Sequence, residues 1–198
     1  MTGRFLPPQL IYGGKTDQCH PKYKFPDNFH ITHSENHWAN ESTMIQYLKN
    51  IITPFVDEIK EELDLPVRQK ALVIFDCFRG QITKDFLYAL KSENLVYVTI
   101  PPNCTDKLQP MDLSVNKSAK DFLKAQFHNC CAEQVVTYIN KNSDKVEAVK
   151  IDLLLTKMKP LGAKWLAKLY DHLCTNPVII RNGFSGSCGI SEILSYKC

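Results

Sequence analysis

No run of 18 apolar residues, no Cys-x-x-Cys pair and no internal repeat occurs in the 198 residues, and the net charge is only +3. Each absence removes a class. Without a long apolar run there is no candidate for a membrane-spanning helix. Without paired cysteines the eight scattered thiols (19, 77, 104, 130, 131, 174, 188 and 198) make neither a secreted disulfide framework nor a zinc ribbon. They read as reduced and mostly buried. A balance of 24 basic against 21 acidic residues does not by itself announce a nucleic-acid binder. Met1-Thr2-Gly3-Arg4 has no secretory h-region behind it, so the chain reads as intracellular and soluble. Its length suits one domain, or one and a small appendage, with a real core.

What is present centres on Ala71 to Asp112. The apolar run Ala71-Leu72-Val73-Ile74-Phe75 has the pattern of a buried strand and ends in Asp76. Thr83 to Glu93 reads as a helix and Leu95 to Ile100 as a second strand. Asp112 follows Pro110, where a helix would begin. A carboxylate at a strand's C-terminal end and another at a helix start, joined by a β-α-β unit, can converge on one divalent cation. Hard cations such as Mg²⁺ take one or two carboxylates together with substrate phosphates. The plainer reading makes Asp76 a turn cap and Asp112 an N-cap or first-turn acid.

Around this stretch, Leu6 to Tyr12 predicts a strand closed by Gly13-Gly14, and Lys15 to Asn40 a long ordered loop or short-strand excursion. Asn40 is placed to cap a helix carrying Met44, Tyr47, Leu48, Ile51, Ile52, Phe55, Val56 and Ile59 on one face, which Pro54 should kink or split. Asp112 to about Asn140 is the longest expected helix, with Val115, Ala119, Phe122, Leu123, Phe127 and Cys130 as its inner stripe. Leu153 to Leu155 and then Pro160 to His172, with Trp165, Leu166, Leu169 and Tyr170, read as helical. This order gives an α/β layer sandwich, divided as residues 1–141 and a helical C-terminal appendage at 142–198.

The strand ending in Asp76, the string Ile100-Pro101-Pro102-Asn103-Cys104-Thr105-Asp106-Lys107-Leu108-Gln109-Pro110-Met111-Asp112, and the following Leu113-Ser114-Val115-Asn116-Lys117 closely resemble the DDE superfamily endonuclease domain of Tigger/pogo-type transposases, in the mariner group. Leu6 to Thr16 looks like that family's preceding strand and turn, and Val178 to Ile190 resembles the helix-turn that ends related transposases. The resemblance implies an RNase H-like, three-layer α/β/α fold whose first strands would precede Leu6, and a nuclear protein acting on DNA. It implies Mg²⁺ or Mn²⁺ held by Asp76 and Asp112, two of three catalytic carboxylates, for two-metal phosphodiester chemistry. The third would lie on the fold's first strand, and neither Asp17 nor Asp27 follows a pattern that places it beside Asp76. After Asp76, where relatives often carry Asn and then His, this chain reads Cys77-Phe78-Arg79-Gly80-Gln81. The chain as written is therefore expected not to cleave DNA. A non-catalytic DNA- or protein-interaction domain, acting alone, as a homodimer or with a protein partner, stays open beside the enzyme.

Arg79, Lys84, Lys107, Lys117, Lys120 and Lys124 flank the two carboxylates and are candidates for phosphate contact. The plainer reading of the lysines is a solvated helix face. Cys19, His20, His30, His33 and His37 are zinc-ligand residue types, but their spacing matches no pair-and-pair pattern and nothing in the resembled family requires zinc there. They read as loop residues making ordinary hydrogen bonds. Trp38 and Trp165 read as core or helix-packing residues.

Overall fold

The structure, a computed structural model, describes residues 3–102, 108–141 and 149–186. The chain opens with β1 (Gln9–Gly13) and β2 (His30–Ser34), which pair in parallel with Tyr12 opposite His33. β2 lies inside the stretch expected to be a long ordered loop or a short-strand excursion, and is the second of these. Its bounds could not be read because His30, Thr32 and Ser34 give no hydrophobic alternation, yet Thr32 and Ser34 are buried.

Asn40 then starts α1 (Glu41–Tyr47) with a capping box: its side chain accepts the Thr43 N–H at 3.0 Å, and the Thr43 hydroxyl accepts the Asn40 N–H at 2.9 Å. The helix runs through a π turn (Leu48–Ile52) directly into α2 (Thr53–Glu62). The cause is Pro54, which lacks an N–H and would press its ring on the carbonyl four residues back. The wide turn absorbs that misfit, with Thr53 N–H reaching back to Leu48, and the helix is interrupted rather than broken. Lys60, buried on α2, donates to the Val67 carbonyl at 3.1 Å and so holds the exposed loop that leads to the next strand.

β3 (Ala71–Phe75), α3 (Lys84–Ser92) and β4 (Leu95–Thr99) form a β-α-β unit whose strands pair in parallel, Ala71 with Leu95 and Phe75 with Thr99. Thr83 caps α3 through the Phe86 N–H, and Asn94 ends it at φ +58°, a conformation asparagine tolerates better than most residues. Phe75, Phe86, Leu90 and Leu95 meet Met44, Leu48 and Ile52 in the first core. Among the described residues the four strands make two separate two-stranded sheets in an α/β arrangement.

The second core is helical. A π turn (Met111–Val115) leads into α4 (Asn116–Lys141), followed by α5 (Leu155–Thr175) and α6 (Pro177–Gly186). α5 joins the two expected segments at Leu155 and Pro160 into one helix, whose start is fixed where the Leu154 carbonyl accepts the N–H groups of Lys157 and Met158, both at 2.9 Å. Val115, Leu169, Leu173 and Ile180 are its buried centre, with Ala119, Phe122 and Leu123 of the expected stripe packed against them. Phe127 meets Trp165 edge-on at 6.4 Å. α5 ties the two halves: Tyr170 packs on Phe5 and Phe29, and its hydroxyl accepts from Asn28. Burial and then the neighbouring Cys174 push the Tyr170 phenol up to about 12.

Two expectations fail. Trp38 is 61% exposed, stacked on His37 at the surface rather than packed in a core. Among the described cysteines Cys77 and Cys174 are exposed and Cys19, Cys130 and Cys131 only partly covered. The rest lie outside the described residues.

The side of the β3–β4 sheet away from the first core is bare: Leu72, Ile74, Val96 and Val98 alternate with the core positions and face solvent. A contiguous apolar face of this kind promotes association. The double variant Leu72→Thr/Val96→Thr should therefore keep its stability within about 0.5 kcal/mol, and so its unfolding midpoint within about 2 °C, while binding less of a hydrophobic dye and scattering less light. A midpoint that drops well beyond that range would show that the face is covered in the folded protein.

Candidate functional site

Asp76 leaves the end of β3 where Phe75 is locked into the core. The Phe75 carbonyl accepts the Ile100 N–H at 2.8 Å, and the Cys77 thiol donates to the Ile100 carbonyl at 2.8 Å. The two strand ends are thus tied on either side of Asp76. Ligands of open parallel sheets bind at this carboxyl end of the strands. Asp76 is half-buried, and its Oδ1 accepts the Cys77 N–H at 2.7 Å.

Asp112 sits in the Met111–Val115 turn, exposed, with Oδ1 receiving the Asn116 side-chain amide. The inner side of that turn is fixed. Val115 is buried, the Ser114 hydroxyl donates to the Ile179 carbonyl at 2.8 Å, and Pro110 lies directly on Gly183 of α6. Asn116 was not singled out in the sequence, although its i, i+4 spacing from Asp112 in an expected helix was the available signal.

Each carboxylate therefore uses one oxygen locally and keeps the other without a partner among the described residues. Two carboxylates with spare oxygens are donors of the kind a hard divalent cation takes, together with phosphate. In number the set is short: among the described residues no group of three His, Cys, Asp or Glu side chains close enough to share a metal includes either one. Asp17 is engaged elsewhere, 3.3 Å from His33 Nδ1, and Asp27 lines a separate depression with Arg4, Asn28 and Tyr170.

Of the candidate phosphate contacts, Arg79 follows Asp76 by three residues in a short 3-10 turn, Lys84 opens α3, and Lys117, Lys120 and Lys124 lie on the first turns of α4. All five are exposed, and none enters an ion pair among the described residues. Lys117 also borders an open depression of about 550 Å³ with Leu113, Ser114, Asp121 and His172. Lys107, with the rest of the 103–107 string, lies outside the described residues.

Asp76 thus ends the first strand of the β-α-β unit, and Asp112 lies in the turn that opens the long helix after it. The comparison with known proteins is specific: the family of DDE superfamily endonucleases matches residues 1–159, and the chain belongs to it. The chain is similar to a human pogo transposable element with ZNF domain, 22% identical over 182 residues that cover 92% of this chain and 11% of that protein. It is also similar to the human and mouse pogo transposable elements with KRAB domain, 29% and 28% identical over 127 residues, 64% of this chain and 19% of each. The chain thus spans between about a tenth and a fifth of the length of these curated relatives. No solved structure matches it. Endonucleases of this superfamily generally depend on a divalent metal. No described helix is long and apolar enough to cross a membrane.

Proposed function

We propose that this chain is the DNA-facing part of a pogo-type transposase domain of RNase H-like fold, working in the nucleus. In this reading Asp76 and Asp112 hold Mg²⁺ or Mn²⁺, and Arg79, Lys107, Lys117 and Lys120 receive the DNA backbone. The observation that carries it is the pair of aspartates, each held in place and each, among the described residues, with a spare oxygen, flanked in sequence by exposed cations that no described carboxylate neutralises. The bound metal, when present, would neutralise phosphate charge and activate the attacking oxygen. The chain's own residues have simpler tasks. Asn116 orients the Asp112 carboxylate, the Cys77 backbone and thiol hold Asp76 at the joined strand ends, and the lysines fix the phosphodiester register.

Two carboxylates are one short of the family's set. The 198 residues by themselves are accordingly expected to bind DNA and divalent metal without cutting. Affinity for a generic duplex, followed by fluorescence anisotropy, should fall steeply with salt. Lys117→Ala and Lys120→Ala should each flatten the slope of log K against log salt by about one. Mn²⁺ binding, followed by its electron paramagnetic resonance signal, should weaken in Asp76→Asn and Asp112→Asn. No duplex binding at low salt would remove the DNA reading. Metal-dependent nicking by the unmodified chain, lost in Asp76→Asn, would show a complete site.

A further inference from the structure

The fold brings His33 beside the consecutive pair Cys19 and His20. Cys19 and His20 end a short 3-10 turn (Asp17–Cys19), and His33 projects from β2 opposite Tyr12. One donor atom from each of Cys19, His20 and His33 lies within 4.8 Å of the others. His20 Nε2 and His33 Nδ1 are 3.4 Å apart, and Asp17 Oδ1 stands 3.3 Å from His33 Nδ1 and 3.8 Å from His20 Nε2. The other histidines of the stretch go elsewhere: His30 to Gln46 and Asn50, His37 to Trp38.

We propose that Cys19, His20 and His33 form a structural site for a borderline-soft divalent cation, zinc, with the exposed Asp17, which lies outside that close group, turning in from the rim as the fourth ligand. Four arguments converge. A tetrahedral zinc with Zn–N bonds of about 2.0–2.1 Å sets its ligand nitrogens about 3.3 Å apart, the spacing found between the two imidazoles. A thiolate, a carboxylate and two neutral imidazoles balance a 2+ charge, so the assembled site is neutral. The ligands mix sulfur, nitrogen and oxygen, a preference opposite to that of the all-oxygen aspartate pair. The surroundings are also built for the thiol. A Cβ on Gly14, which has φ +153°, would lie 2.9 Å from Cys19 Sγ, so only glycine lets the strand end close over it.

The site has a structural consequence. Lys159 of α5 donates to the Cys19 carbonyl and lies 5.6 Å over the Tyr12 ring, and the Tyr12 ring stands 5.8 Å from that of His20. Fixing the 17–20 turn with metal therefore also fixes the surface on which α5 docks.

The test is a titration of the metal-stripped, reduced 198-residue chain with Co²⁺. Visible ligand-field bands and a near-ultraviolet thiolate-to-cobalt charge-transfer band should grow to saturation at one ion per chain, disappear on addition of Zn²⁺ and persist in excess Mg²⁺. Cys19→Ser should lose the charge-transfer band, His33→Ala should lose tight binding, and His37→Ala should leave the spectrum unchanged. The proposal fails if the unmodified chain shows no charge-transfer band, if the band survives in Cys19→Ser, or if Mg²⁺ displaces the ion.

Discussion

Phe86→Ala is expected to cost about 3–5 kcal/mol of stability, the usual loss for emptying a fully buried aromatic position. Phe86 has no exposed surface, and its ring stands 5.5 Å from that of Phe75. A chain of this size loses roughly 2–4 °C of unfolding temperature per kcal/mol, so the midpoint should fall by about 6–20 °C. The effect reaches the site. Phe75 is the residue before Asp76, and its carbonyl accepts the Ile100 N–H, the last bond of the β3–β4 ladder. A cavity beneath Phe75 lets that end of the strand move, so the Ile100 amide should exchange with solvent sooner than amides of the helical core around Leu169. Phe86→Leu, which leaves a smaller void, should recover most of the loss. A fall of under about 1 kcal/mol in Phe86→Ala would mean that the β-α-β unit does not close on this residue.

The legible parts of the fold were those in which several local signals agreed. β3, α3 and β4 combined two short apolar, β-branched runs with a helical segment between them, and all three formed within a residue or two of expectation. The split at Pro54 was legible for the same reason, since proline's missing N–H acts locally, although a π turn rather than a kink resolved it. Illegible were the features decided by partners distant in sequence. β2 carries polar residues inward because Thr32 and His30 bond to Gln46 of α1. Trp38 is exposed because its neighbours place it on His37 instead of in a core.

The site was read to the same depth. Asp76 and Asp112 were proposed from pattern and resemblance, but neither signal shows how its segment is held. For Asp112 that information lies some seventy residues downstream, in α6. The Cys19–His33 cluster is the converse case. Its spacing argued against a metal because spacing rules describe ligands in one continuous motif, whereas here a turn and a strand bring the donors together through the parallel pairing of β1 and β2.

Gly183→Ala tests the support beneath Asp112. In an exposed helix the change should stabilise by about 1 kcal/mol, since alanine is the better helix former. Here the sign should reverse. A Cβ at position 183 would lie 3.1 Å from the carbonyl carbon and 3.3 Å from the Cα of Pro110, and closer still to its carbonyl oxygen. Those are backbone atoms, with no rotamer change to relieve the contact, so overpacking at the upper part of its range of about 1–3 kcal/mol outweighs the helical gain. The expected net loss is about 1–2 kcal/mol, or roughly 2–8 °C in midpoint. The displacement should fall on the Met111–Val115 turn, because the Ser114 bond to the Ile179 carbonyl and the burial of Val115 both depend on α6 lying flush against it. Mn²⁺ affinity should then drop through Asp112 without any change to a ligand, whereas Gly162→Ala, where an added Cβ meets nothing within 4 Å, should stabilise α5 and leave metal binding alone. Equal stabilisation in both variants would show that α6 does not press on Pro110, and that Asp112 is held by its own helix.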